Sequence, residues 1–308
     1  MILIQLFGTA APWVAAAVLM FMVIIVAVAV RQGREISVWP PRIGSRPADA
    51  TRVPGWVPTG LPGPGRPPER ADREYGVDRA RRFYQEIASS YDLRNSGNIA
   101  STHLATVAQL QAIRDQRHTL RVLDLGGGTG KLIAVHFFND AHVSWTYVDF
   151  SPAMAAQFQQ NLSGYPLGEN SEIIVEDLAR AVSKIRPESY DVVLLSLVLS
   201  SMPELPNLTA IARVLRPDGL LIITDINPGY TYAKPLYKVS VDKSLVALRT
   251  APVDPFEVIR RAQAAGLRTT GQRTIGTGSV YYSFMMVFTP VAGRVADGKR
   301  DGRSLVQS

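Results

Sequence analysis

Val122-Leu123-Asp124-Leu125-Gly126-Gly127-Gly128-Thr129-Gly130 is the stretch that decides the reading of this 308-residue chain. An apolar strand runs into a glycine turn that opens a helix, so a ligand can lie against bare backbone at the strand's carboxyl end. Three ligand classes use such a turn, and spacing separates them. A P-loop needs G-x-x-x-x-G-K-[ST]; counted back from Gly130-Lys131, its first glycine position holds Leu125, and Leu132 stands where Ser or Thr belongs. The dinucleotide fingerprint G-x-G-x-x-G, counted from Gly126, meets Lys131 at the glycine reserved for close helix–strand packing, which disfavours a nicotinamide oxidoreductase. What remains is D-x-G-x-G-x-G. Asp124 stands two residues before Gly126, Gly128 and Gly130 follow at alternate positions, and Gly127 lies between them.

Outward from this turn the chain alternates β-rich runs with helical segments. Strands are predicted at 121–125, 143–149, 172–176, 190–196, 219–225, about 268–275 and 280–289. Helix-forming segments separate the first five, which signals an α/β domain on a largely parallel sheet. A short loop with Gly276 and Gly278 joins the last two as a hairpin, giving one antiparallel strand. Upstream, Ala80, Phe83, Tyr84, Ile87 and Ala88 recur at helical spacing, as do Leu104, Val107, Ala108 and Leu110. These two amphipathic stretches form a helical cap before the first strand.

The Asp124–Gly130 pattern resembles motif I of the class I S-adenosylmethionine-dependent methyltransferases. The resemblance spans about residues 83–289 and implies a Rossmann-like, seven-stranded, mostly parallel sheet with one antiparallel strand, over a domain at 72–289 whose cap is 72–119. It implies S-adenosyl-L-methionine as cofactor. Asp124, Gly126, Gly127, Gly128 and Gly130 would hold its methionine end, where an ammonium suits a carboxylate. Asp149 would clamp the ribose hydroxyls, and Phe150 would pack on the adenine. Asp177 and Leu178 would meet the adenine amino group and ring, with Ser196 facing the same crevice. Arg213-Val214-Leu215-Arg216-Pro217-Asp218-Gly219 resembles the family's turn before strand five, with Asp218 where glycine is commoner. Ile87-Ala88-Ser89-Ser90-Tyr91-Asp92-Leu93-Arg94-Asn95 resembles, more weakly, the entry segment of quinone-type C-methyltransferases, although Leu199-Ser200-Ser201-Met202 replaces the Arg-Asn pair expected after strand four.

Residues 1–30 carry no charge, and Ala11 to Val30 is an apolar run of membrane-spanning length, about 30 Å as a helix. Nothing basic precedes it and charged Arg31 and Arg34 follow, unlike a cleaved signal peptide. Arg31, Arg34, Arg42, Arg46 and Arg52 follow the run, which predicts a single-pass anchor, N-terminus outside and the remainder cytoplasmic. Residues 31–71 read as a Pro-, Gly- and Arg-rich linker; nine prolines between 31 and 70 predict that no helix or sheet runs through it. A disordered tail is expected over 290–308.

Net charge is +7, yet residues 31–90 contribute +4, 91–289 only +1 and 290–308 +2. The central region therefore lacks the basic stripe that phosphate contacts require, and no nucleic-acid partner is expected. Zero cysteines exclude disulfides, thiolate metal sites and thiol nucleophiles, and His103, His118, His136 and His142 fall at no metal-ligand spacing, so no metal is expected. The candidates for a catalytic base are His103, in the cap, and Tyr230, in the loop Asn227-Pro228-Gly229-Tyr230 after strand five. The reading is a membrane-anchored methyltransferase with a small-molecule or lipid-like acceptor. Its alternative is a non-catalytic, membrane-tethered binding protein of the same fold; composition leaves the oligomeric state open.

Overall fold

Short runs of β-branched and apolar residues, too brief for helices and flanked by turn residues, become the strands of a computed structural model that describes residues 34–38, 41–45, 71–94, 97–241, 244–277 and 280–291. The chain divides into two units, 1–63 and 64–308. In the first, β1 (Arg34–Val38) and β2 (Pro41–Ser45) pair antiparallel, Arg34 opposite Ser45. This corrects the expectation that no sheet enters residues 31–71. Pro41 is the opening residue of β2, one of the positions where a missing N–H is tolerated. The anchor expected at residues 11–30 and the tail from 292 lie outside the described residues. Among the described residues no helix is long and apolar enough to cross a membrane.

The second unit begins with α1 (Ala71–Ile87) and α2 (Gly97–Arg114), the cap helices the periodicity predicts. Then come β3 (Leu120–Leu125), β4 (Val143–Asp149), α3 (Pro152–Leu162), α4 (Pro166–Glu169), β5 (Ser171–Val175), α5 (Leu178–Lys184) and β6 (Tyr190–Ser196). The chain continues through α6 (Leu208–Val214), β7 (Leu215–Ile226), α7 (Pro228–Ala233), β8 (Leu236–Val241), β9 (Ser244–Arg249), α8 (Pro255–Ala264), β10 (Leu267–Thr277) and β11 (Val280–Pro290). The seven-stranded sheet runs β10-β11-β7-β6-β3-β4-β5. β11 alone runs against the other six strands, as the hairpin at its start predicts. The order reverses beside β3, with β4 on one flank and β6 on the other, and open α/β sheets hold ligands in the crevice at such a reversal.

Both faces of the central strands are buried, so their sequences are continuously apolar. Leu123, Leu125, Val193 and Leu195 point into one core, with Val214 and Val258. Val122, Trp145, Tyr147, Val192 and Leu194 fill the other, with Leu110 and Phe158. The hairpin β8–β9, unforeseen in sequence, packs Val239 and Leu248 against Ala80, Phe83 and Ile87 of α1 and Met154 of α3.

One expectation about the glycine turn needs correction. It opens not onto an α-helix but onto turns and a four-residue 3-10 helix, Ala134–Phe137. Backbone bonds of the i to i+3 type hold this segment, His136 N–H to Ile133 O (3.0 Å) and Phe138 N–H to Val135 O (3.3 Å). A full helix N-terminus, which would attract a pyrophosphate, is therefore not offered at this bend.

At the opposite end of the sheet Asp191, 1% exposed, joins three segments. It accepts from Arg117 Nη1 (3.0 Å), Arg216 Nη1 (2.7 Å) and the backbone N–H of Arg121 (2.8 Å). Replacing Asp191 with Ala should therefore cost about 3 kcal/mol of unfolding free energy, read from urea midpoints, because two guanidinium groups and an amide lose their shared acceptor.

Candidate functional site

Glycine is required where the turn leaves β3. Gly128 has φ +57°, and a side chain there would meet nothing within 4 Å, so its backbone faces open space. The turn around it is fixed by its neighbours. Gly126 N–H donates to Val148 O (2.7 Å), and Tyr147 Oη donates to Gly128 O (2.9 Å). Gly128 N–H donates to Asp149 Oδ2 (3.1 Å), and Asn161 Nδ2 to Thr129 O (2.9 Å). From the cap, Asp92 accepts the Thr129 hydroxyl (2.5 Å).

Two carboxyls flank the turn. Asp124 is 2% exposed and accepts the indole N–H of Trp145 (3.2 Å); burial pushes its carboxyl up to about 7, against the lowering effect of that bond. Asp149, at the end of β4, is raised to about 6 by burial, restrained by N–H groups of Ser151 (2.9 Å) and Gly128. A third, Asp225 at the end of β7, lies fully buried. It is also raised to about 6 by burial while accepting from the N–H groups of Ser200 (3.1 Å) and Ile226 (2.7 Å).

The glycine turn and the strand ends beside it line a cleft, open to solvent, with about 800 Å³ of space. Gly126, Gly128, Asp149, Phe150, Asp177, Leu178 and Ser196, all singled out in sequence, line it together. Phe150 lies 6.3 Å from the Tyr84 ring, with the Arg81 guanidinium 5.7 Å from its centroid. Asp177 also serves as the N-cap of α5, where its Oδ1 accepts from Ala179 (2.9 Å) and Arg180 (3.4 Å). Neighbouring Glu176 also lines the cleft and is held by Lys184 Nζ at 2.6 and 2.8 Å. Ser196 Oγ accepts from Thr224 (2.9 Å).

Asp124, Gly127, Gly130 and His103 lie instead around a second, smaller cavity that shares Gly126, Gly128, Tyr91 and Ser196 with the cleft. Tyr230 is corrected: it stacks edge-to-face on Tyr282 (4.9 Å) beneath Lys234 Nζ (5.2 Å) and lines neither cavity. Tyr230 belongs to α7, which the Asn227 side chain caps at Gly229 N–H (2.8 Å). Sequence reasoning missed the cleft's ceiling, Val77, Ala80, Tyr84, Ser201 and Met202. Only the amphipathic period of α1 hinted at part of it. Tyr84 Oη and Ser201 Oγ share a 2.7 Å hydrogen bond, and burial raises the Tyr84 phenol above its ordinary range.

Residues 123–223 match a family model described as a methyltransferase domain. The chain is 28% identical over 209 residues to a ubiquinone/menaquinone biosynthesis C-methyltransferase of Dinoroseobacter shibae, covering 65% of this chain and 82% of the relative. It is 25% identical over 234 residues to an aclacinomycin 10-hydroxylase of Streptomyces purpurascens, covering 73% of this chain and 61% of that one, under two thirds of its length. Among solved structures, the CcbJ methyltransferase of Streptomyces caelestis shares the fold with a TM-score of 0.54 at 17% identity, over 69% of this chain and 99% of that one.

The raised carboxyls carry a pH signature. A carboxyl whose native pKa exceeds its unfolded value binds more protons when folded. Its stabilisation is complete below the unfolded value and is lost as pH rises through the native one. For Asp124 the window runs from 3.8 to about 7. Asp124→Asn keeps an acceptor for Trp145 and removes this loss. Its thermal midpoint, measured without ligand, should therefore gain several degrees on the wild type's between about pH 5 and pH 7.5.

Proposed function

We propose that this chain, a class I S-adenosylmethionine-dependent methyltransferase, methylates a small apolar acceptor of quinone-like or other lipid-like character, held near a membrane by residues 11–30. The observation that carries the reading is the composition of the cleft. Its floor is the glycine turn with Asp149 and Phe150, and its ceiling is apolar and aromatic, from Val77, Ala80, Tyr84, Tyr91 and Met202.

The floor suits the cofactor's adenosyl part. The carboxylate of Asp149 accepts backbone N–H groups of Gly128, Ser151 and Phe150, and of its roughly four acceptor positions one is left for a ribose hydroxyl. Phe150 and Leu178 offer apolar surface for a purine, and Asp177 stands beside them. Gly128 lets a ligand approach bare backbone. Asp124 answers a cation: raised to about 7 by burial, it ionises when an ammonium arrives. S-adenosylmethionine, when bound, supplies a methyl on a sulfonium, open to in-line displacement.

The protein's own work is then alignment and exclusion of water. The phenols that line the cleft, Tyr84 and Tyr91, are raised by burial and stay protonated, so they donate hydrogen bonds rather than accept protons. Such a cleft suits an acceptor that ionises readily by itself, such as a hydroxylated ring. The quinone C-methyltransferase relative and the Tyr91-Asp92 segment support this class. The arginines following residue 30 support a catalytic domain on the cytoplasmic side, with the N-terminus opposite.

Calorimetric titration with S-adenosylhomocysteine should give binding that Asp149→Ala weakens roughly tenfold or more, since hydrogen bonds to a charged group are lost. Membranes incubated with labelled S-adenosylmethionine and the protein should yield a quinone or lipid fraction heavier by one methylene. Absence of cofactor binding overturns the enzyme. Binding without any methylated product favours the membrane-tethered binding protein. Separately, removing residues 1–30 should move the chain from the membrane pellet to the soluble fraction, and an unchanged distribution would refute the anchor.

A further inference from the structure

The second cavity, about 350 Å³, is bounded by the glycine turn, Leu132, Ile133, Asp124 and His103. His103 sits within α2 and is 6% exposed. Its polar neighbours on that helix have partners: Thr102 shares a 2.6 Å hydrogen bond with Ser283, and Thr106 donates to Thr102 O (3.0 Å). His103 has none. Neither of its ring nitrogens has a hydrogen-bond partner among the described residues. A buried donor and acceptor left unmatched oppose folding, so such a group points to a ligand.

Tyr91, Gly126, Gly128 and Ser196 belong to both cavities, so the smaller one continues from the cleft on the side away from Phe150 and Leu178. With the adenosyl part on Asp149, the cofactor's amino-acid end extends this way. An amino-acid zwitterion needs an anion for its ammonium and a donor for its carboxylate. Around this cavity Asp124 is the carboxylate and His103 the one nitrogen-bearing side chain; neither Arg nor Lys lines it. The Thr129 hydroxyl is already given to Asp92.

We propose that the imidazole of His103 donates a hydrogen bond to the α-carboxylate of the cofactor, completing with Asp124 a recognition site for the amino-acid end. Burial lowers the imidazole to about 4, so it is neutral near pH 7, with one N–H to give and little strength as a base. That separates this role from proton abstraction at the acceptor. The inference rests on the cofactor reading of the cleft.

The test compares two ligands on the full chain: S-adenosylhomocysteine, and 5′-methylthioadenosine, which has the adenosyl thioether but no amino acid. His103→Leu should weaken the first roughly tenfold or more and leave the second unchanged. Its melting temperature without ligand should be equal to or above the wild type's, because orphaned nitrogens are removed. His103→Gln, which retains an N–H donor, should recover much of the preference and decides the matter if the leucine variant does not fold. Equal weakening of both ligands, unaltered affinity for S-adenosylhomocysteine in the leucine variant, or a glutamine variant without the preference overturns the proposal. A wild type that binds 5′-methylthioadenosine but shows no gain from the amino acid also overturns it. Binding of neither ligand to the wild type removes the cofactor reading itself and the inference with it.

Discussion

The carboxylate of Asp149 accepting the N–H of Gly128 is the contact on which the site depends. It ties the glycine turn after β3 to the end of β4, two strands already in register from Leu120 with Val143 to Leu125 with Val148. The backbone of a turn with positive φ has no side chain to hold it, so its position must be imposed from outside. Asp149 does this from one side, Tyr147 Oη from another, and Asp92 reaches Thr129 from the cap. The turn is thus pre-organised before any ligand arrives, which lowers the ordering cost of binding.

Such pre-organisation carries a stability cost. Asp124, Asp149 and Asp225 are buried carboxyls raised by desolvation, and none of the three has an ion-pair partner among the described residues. Backbone N–H groups, the Trp145 indole at Asp124 and the Ser200 side chain at Asp225 are their hydrogen-bond partners instead. The sheet's other end differs: Asp191 is buried too, but two arginines neutralise it. Asp149 lines the cleft and Asp124 the smaller cavity, whereas Asp225, which lines neither, is held by the N–H groups of Ser200 and Ile226.

The central sheet and the floor of the cleft were legible in sequence because each rests on local signals. Continuous apolar runs marked strands buried on both faces, and the spacing of Asp124, Gly126, Gly128 and Gly130 marked the turn. Asp149 was found because an acid directly ends a strand. What stayed hidden depends on contacts distant along the chain. The β8–β9 hairpin intersperses Lys238, Ser240 and Ser244 among its apolar residues, and only packing on α1 reveals which face is inward. The double duty of Asp177 as helix cap, and the burial of His103 beside satisfied threonines, are likewise absent from any spacing rule. The short 3-10 helix after the turn was missed for another reason: the apolar residues from Leu132 to Phe138 suggest an α-helix, yet they wind as turns and a four-residue 3-10 segment.

The departure from the quinone-type pattern after strand four has a structural counterpart. Where an Arg-Asn pair would stand, Leu199–Ser201 forms a tight 3-10 turn, and the N–H of Ser200 is held by Asp225. Ser201 then reaches across to Tyr84 of the cap, joining the ceiling of the cleft to the ends of β6 and β7. An arginine here would bring a cation toward buried Asp225 and the cleft; serines instead make a small, neutral latch between cap and sheet. The Tyr91-Asp92 segment, which does match, ties the cap to the glycine turn through Thr129, with the Tyr91 ring 6.4 Å from that of Tyr84. The segment that departs adjoins Met202 and Pro203, which line the same cleft as Asp149 and Phe150, and Tyr84 touches both groups through Ser201 and the Phe150 ring.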